Sequence, residues 1–152
     1  MEIPDILLVD FHGVLTDGKL NMTHDGKVLF ESMHTTDTAA IRELVARGIE
    51  VYIVTASSNP IIQEYGKKVG VKVISNVRDK GEFVKQFGDK AFMAVGDTGF
   101  DIPMLKAAAI AFCPSNASDS VKWNKNVILS SRKGGEGVMV DILQYLYYRD
   151  GK

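Results

Sequence analysis

Residues 5–18 read DILLVDFHGVLTDG. Four apolar residues, Ile6 to Val9, stop abruptly at Asp10, and a loop punctuated by Gly13 and Gly18 follows. A continuous rather than alternating apolar run is what a strand covered on both faces looks like. The stretch therefore reads as an inner strand of a parallel sheet that hands an acid to the loop beyond it. Runs of the same kind recur at 49–55 (IEVYIVT), 71–75 (VKVIS), 91–97 (AFMAVGD), 109–113 (AIAFC) and 126–130 (NVILS).

Segments of helical period separate these runs, at 38–48, 59–70, 80–88, 101–108 and 137–148. Strands alternating with helices predict an α/β fold: a doubly wound, Rossmann-like, mainly parallel sheet with helices on both faces. Caps mark the boundaries. Thr36 or Asp37 can open the first helix and Gly48 can close it, while Asn59 before Pro60 is a helix start with proline at its first position. One stretch breaks the rhythm. Residues 19–32 (KLNMTHDGKVLFES) hold two short strand-like runs around His24-Asp25-Gly26, and Asp-Gly is a strong hairpin signal, so a β-hairpin is expected to project at about 19–33. No insertion is large enough to be a second folded unit. The expectation is one domain over 1–152, with a C-terminal tail and helix at about 130–150. Within that tail the loop SSRKGGEG (130–137) reads as mobile.

Composition narrows the function classes. A net charge of −1 over 152 residues leaves no basic surplus to neutralise a nucleic-acid backbone, so any phosphate recognition must be local. No apolar stretch approaches the roughly 20 residues that span a bilayer, and the N-terminus lacks the layout of a signal peptide. The lone Cys113, set among apolar neighbours, reads as a small buried hydrophobe rather than a reactive thiol. The chain reads as cytoplasmic.

In a doubly wound sheet, residues just past the carboxyl ends of the strands converge on one crevice although they are far apart in sequence. Here that rule selects Asp10, Thr55, Lys80, Gly96, Asp97 and Asp101. Three carboxylates placed together cannot all ionise without a cation, and an oxygen-rich set suits magnesium. Thr55 and Lys80 suit the oxygens of a phosphoryl group, and Asp10 remains as a nucleophile able to form an acyl phosphate. Each residue alone has a bland reading: a turn former, a β-branched strand residue, a solvated lysine, an acid at a helix N-terminus. Their joint placement at four strand ends points to phosphoryl chemistry.

The segments Asp10 to Gly18, Thr55, Lys80 and GDTGFD (96–101) resemble the four motifs of the haloacid dehalogenase superfamily of magnesium-dependent phosphatases. DFHGVLTDG and the late GGEGV are similar to its small capless branch, that of the 3-deoxy-manno-octulosonate 8-phosphate and nonulosonate 9-phosphate phosphatases. The resemblance implies Mg2+ held by Asp10, Asp97, Asp101 and the backbone carbonyl of His12. It also implies a sugar phosphate as substrate, such as a 3-deoxy-2-keto sugar acid phosphate, and a homotetramer whose hairpins pack together. The tail carrying the double glycine would reach a neighbour's site.

Three departures bear on that resemblance. His12 stands where the family has an acid/base aspartate; imidazole can do that work near neutrality. Ala56-Ser57 follow Thr55 in place of Gly-Arg, and Val140 replaces an arginine often found after the glycine-rich tail. Arg78, Arg132 and Lys133 are the candidates to grip a substrate carboxylate instead. Asp17, Thr36, Asp37 and Ser57 are further candidates near the pocket, Thr36 and Asp37 having the helix-cap reading as well. His24 and His34 read as hairpin surface or subunit contacts. Two readings remain: a slow phosphatase with His12 as acid/base, or a catalytically weak or idle oligomerisation or regulatory domain on the same fold. A receiver domain is disfavoured by chain order, since its phosphorylated aspartate follows the third strand and its acidic pair the first.

Overall fold

The computed structural model describes residues 2–148; the end of the expected tail segment, residues 149 and 150, lies outside the described residues. Six parallel strands, β1 (Ile6–Val9), β4 (Glu50–Val54), β5 (Lys72–Ile74), β6 (Met93–Val95), β7 (Ile110–Cys113) and β8 (Val127–Leu129), form one sheet in the order β5-β4-β1-β6-β7-β8. All six expected strands are present. β1 lies inside the sheet, with Leu8 opposite Tyr52 on one side and Ala94 on the other. Its continuous apolar run follows from that position: Leu7 and Val9 face a core shared with α1 (Thr35–Ala46), α2 (Pro60–Val69) and α6 (Val138–Tyr147). Ile6 and Leu8 face a second core closed by α3 (Lys80–Val84), α4 (Ile102–Ala107) and α5 (Asp119–Lys122). α5 was not expected, because four residues are too few to show a helical period.

The hairpin forms its own antiparallel sheet from β2 (Asn21–Met22) and β3 (Val28–Phe30). Thr23 N–H donates to Lys27 O at 2.8 Å, and Gly26 takes a φ of 87°, as the Asp-Gly signal required. Asn59 caps α2 through Ile61 N–H at 3.0 Å, with Pro60 at its first position.

Two expectations need correcting. α1 opens neither on Thr36 nor on Asp37: its cap is His34, whose Nδ1 accepts from Thr36 N–H at 3.1 Å. This also takes His34 out of the class of bare hairpin surface residues. Asp37 is fully buried and serves a different helix, accepting from Gly137 N–H at 3.1 Å and Met139 N–H at 2.9 Å. A carboxylate at the first turn of α6 satisfies orphan N–H groups and complements the helix dipole, so both Asp37 oxygens are engaged by α6.

The second concerns the tail. Residues 130–137 are pinned rather than loose. Asp141 accepts from Ser130 Oγ at 2.5 Å and from Ser131 N–H at 2.8 Å, Gly134 N–H donates to Asn116 Oδ1 at 3.0 Å, and Gly135 N–H to Val14 O at 3.0 Å. A Cβ at residue 134 would lie 1.9 Å from Gly13 O, so the double glycine is needed for close packing on the chain's own first loop. Within the chain these two residues pack on the backbone of residues 13–17. Cys113 is buried as expected, and burial pushes its thiol up to about 11.

Losing the Asp37 carboxylate strips two buried N–H groups of their acceptor. Asp37→Ala should lower unfolding free energy by about 2–3 kcal/mol in denaturant titrations, with the β-sheet circular-dichroism signal of the native state retained.

Candidate active site

The strands end at one edge of the sheet, and the polar residues there meet. Asp10 follows β1, its N–H bonded to Val95 O at 3.1 Å, which ties the first loop to the end of β6. Lys80 is the first residue of α3, a helix capped by Asp79 accepting from Glu82 N–H at 2.9 Å. The short helix turns its first side chain inward. Lys80 is only 5% exposed and its Nζ donates to Asp10 Oδ1 at 2.7 Å and Asp101 Oδ1 at 2.6 Å. Asp101 closes the turn after β6, its Oδ2 accepting from Asp97 N–H at 2.8 Å and Thr98 N–H at 3.2 Å. Thr55 is buried at the end of β4; its Oγ1 accepts from Ser57 N–H at 3.1 Å, leaving the hydroxyl proton to donate elsewhere.

A cavity of about 430 Å³ opens over this group. Asp10, His12, Thr55, Ser57, Arg78, Lys80, Asp97 and Asp101 line it, all expected from sequence, together with Ala56, Val77, Thr98 and Phe100. Phe100 is 81% exposed at the cavity and was not singled out from sequence. The other candidates lie elsewhere in this chain. Asp17 is exposed and accepts from Lys19 N–H at 2.8 Å. Thr36 pairs its hydroxyl with His34 Nδ1 at 2.7 Å, and Asp37 is spent on α6. Arg132 is drawn to Asp141 at 3.3 Å, and Lys133 is exposed outside the cavity lining. Arg78 is thus the one arginine among the described lining residues.

His12 is about one-third exposed, and its Nε2 lies 2.6 Å from Oε1 of Glu31, a residue that sequence reading passed over. Gly13 follows with a φ of 86°, and a Cβ there would sit 1.8 Å from Asp97 Oδ2, so only glycine lets the loop lie against that carboxylate.

Charge is the dominant feature. Asp10, Asp97 and Asp101 each offer an oxygen within 4.8 Å of the others, with Lys80 alone among them as a cation. Burial, then the neighbouring Asp10 and Asp101, push Asp97 up to about 9. Burial and Asp101 also raise Asp10, against the pull of Lys80. Burial would lower Lys80, but Asp10 and Asp101 hold it above its ordinary value. Asp97 Oδ1 is buried without a hydrogen-bond partner. Hard oxygen donors, an orphaned carboxylate oxygen and excess negative charge fit a hard divalent cation.

The family model for haloacid dehalogenase-like hydrolases matches residues 23–109, more than half of the chain. The chain belongs to the haloacid dehalogenase-like hydrolases. Its match begins beyond the loop that carries Asp10 and His12, so the departure at residue 12 lies outside it. This hydrolase is 27% identical over 153 residues to the 3-deoxy-D-manno-octulosonate 8-phosphate phosphatase of Haemophilus influenzae, covering 96% of this chain and 84% of that protein. It is also 27% identical over 128 residues to the N-acylneuraminate cytidylyltransferase of Oncorhynchus mykiss, covering 76% of this chain but 29% of that protein. A 3-deoxy-D-manno-octulosonate 8-phosphate phosphatase from Moraxella catarrhalis, solved with a magnesium ion, a phosphate ion and a KDO molecule, superposes with a TM-score of 0.86 at 19% identity. That likeness covers 94% of this chain and 85% of the other, and at such identity it speaks to the fold.

The raised acids give the metal-free hydrolase a definite pH response. A carboxyl held at about 9 when folded, against 3.8 when unfolded, contributes stability below the unfolded value and loses it as pH rises towards the folded one. In chelator, thermal midpoints of the wild type should therefore fall relative to Asp97→Asn as pH goes from about 5 to 9. Magnesium should cancel the difference and release protons, measured by calorimetry in buffers of different ionisation enthalpy. A relative midpoint that rises over that window would contradict the assignment.

Proposed function

We propose that the chain is a divalent-metal-dependent phosphomonoesterase, acting as one hydrolase unit over residues 1–152 through an aspartyl-phosphate at Asp10. The observation that carries this reading is the Asp10 carboxylate held at 2.7 Å by Lys80 inside the three-carboxylate cluster, at the floor of the 430 Å³ cavity. Asp10, Asp97, Asp101 and the His12 carbonyl would hold Mg2+, which when bound neutralises the acids and the developing phosphoryl charge.

The chain's own groups supply the rest. Lys80 fixes the rotation of the Asp10 carboxylate and balances charge on the equatorial oxygens. Thr55 Oγ1 donates its proton to a phosphoryl oxygen. A carboxylate oxygen of Asp10 attacks phosphorus, a P–O bond forms, and the ester P–O bond breaks. The departing alkoxide takes a proton from His12 in its imidazolium form, which becomes the neutral imidazole. The imidazole then removes a proton from water, which attacks the acyl phosphate, releasing inorganic phosphate and restoring Asp10. Arg78, the cavity's arginine, suits a carboxylate on the substrate, with Ser57 beside it. A phosphorylated sugar acid, such as a 3-deoxy-2-keto sugar acid phosphate, fits that pairing of sites, and the Haemophilus influenzae relative is named for such a substrate. No helix of the described residues is long and apolar enough to cross a membrane, and with the buried Cys113 this supports action in the cytoplasm.

Asp10→Asn should abolish magnesium-dependent release of phosphate from p-nitrophenyl phosphate, a loss of at least about 10³-fold. A panel of sugar phosphates that includes eight- and nine-carbon keto acids should single out the acid-bearing ones, and Arg78→Ala should raise their KM more than that of p-nitrophenyl phosphate. An Asp10→Asn protein as active as the wild type would remove the nucleophile.

The hairpin favours a homotetramer. Leu20, Met22, Leu29 and Phe30 are 48%, 50%, 60% and 55% exposed, a concentration of apolar surface that water disfavours and that copies of the chain can cover. The idle-domain reading draws on the same surface and on His12, and it fits the Oncorhynchus mykiss relative, of which this chain matches a minor part. Leu29→Asp with Phe30→Asp should yield a smaller particle by sedimentation. The same particle mass in wild type and variant would refute the hairpin contact.

A further inference from the structure

Glu31 follows β3, on the return from the hairpin to α1. It is an acid between apolar Phe30 and Met33, and its side chain has no exposed surface. Neither of its carboxylate oxygens has a well-formed hydrogen bond among the described residues. A carboxylate removed from water without such bonds is costly, and a fold keeps one only where some partner needs it. One polar partner is in reach: His12 Nε2, 2.6 Å from Oε1. At that separation the contact lies inside hydrogen-bond distance, while its angles miss those of a good bond, so the ring must turn to close it.

The ring is held on a second side. Phe11 meets it edge-on, with centroids 5.2 Å apart. The Nε2 atom is buried against Glu31, whereas the side chain as a whole is 32% exposed and lines the cavity beside Asp10. Of the two ring nitrogens, Nδ1 is therefore the one left to the cavity. A carboxylate acceptor selects the tautomer that carries its proton on the facing nitrogen.

We propose that Glu31 is a positioning residue: its carboxylate holds the His12 imidazole with Nε2–H towards itself and Nδ1 towards the phosphoryl site. This rests on the reading of His12 as the group that exchanges a proton with the leaving alcohol and with water. The proton so exchanged moves on and off Nδ1, while the Nε2 proton stays with Glu31. The pair does with two residues what the family's aspartate does with one. It also ties the hairpin to the chemistry, since Glu31 sits where the hairpin ends.

The test combines spectroscopy with kinetics. In protein labelled with 15N at its three histidines, the neutral His12 ring should show Nε2 protonated and Nδ1 bare, and Glu31→Ala should shift those resonances towards tautomer averaging while His24 and His34 stay put. With magnesium, Glu31→Ala should lower kcat by about tenfold or more while KM moves by less than about twofold, and Glu31→Gln, whose amide oxygen can still accept from Nε2, should recover most of it. Thermal midpoints should stay level or rise, because the variant loses a desolvated charge. In a His12→Asp background, Glu31→Ala should cost nothing further. A neutral His12 ring protonated on Nδ1 instead of Nε2, or already averaging in the wild type, would overturn the proposal, as would an unchanged kcat in Glu31→Ala. A purely structural role predicts the reverse pattern, a lower midpoint with kcat intact. Should the wild type hydrolyse no phosphate ester, the phosphatase reading falls, and the nitrogen resonances still decide whether Glu31 holds the ring.

Discussion

Asp10, Asp97 and Asp101 present oxygens within 4.8 Å of one another, and only Lys80 in that cluster answers them with a positive charge. Like charges at such range, inside a buried site, repel strongly enough that the cluster keeps a proton or takes a cation. Much of the surrounding architecture serves that crowding. Gly13 lets a loop lie on the Asp97 carboxylate, and Gly134 and Gly135 bring the tail down on the far side of the same loop. Lys80 comes from a helix begun at the right point by its Asp79 cap.

The sheet makes the crowding possible. In a parallel sheet every strand delivers its carboxyl end to the same edge, so residues from positions 10, 55, 80 and 101 meet without any long-range motif. Two apolar cores, one on each face, hold those ends rigid. Rigidity matters because Lys80 must reach two carboxylates at once, at 2.6 and 2.7 Å. A loosely held helix would leave a buried ammonium without partners.

Residues 12, 56 and 57 line the cavity, Val140 packs against the first apolar core, and the acid cluster is intact. Arg132 cannot simply replace a missing arginine, since Asp141 draws it away and Asp141 is itself occupied by Ser130 and Ser131. Arg78 is left at the cavity wall. At residue 12 the histidine has an acid beside it, Glu31, brought close through the fold rather than along the chain.

Sequence alone determined the strands, the hairpin turn, the cap at Asn59 and the convergence of Asp10, Thr55, Lys80, Asp97 and Asp101, because these depend on apolar period, local backbone preference and the topology that period implies. It also named Asp17, Thr36, Asp37 and Arg132 as candidates, to which the fold gave other neighbours, and Lys133, which lies exposed outside the cavity lining. Tertiary structure decided those assignments because a side chain's partner across a hundred residues leaves no periodic trace, as the reach of Asp37 to Gly137 illustrates. The same holds for Glu31, an unremarked acid in a hairpin until folding removed it from water and set it 2.6 Å from His12. Local chemistry is written along the chain; which buried charge answers which is settled only when the chain closes on itself.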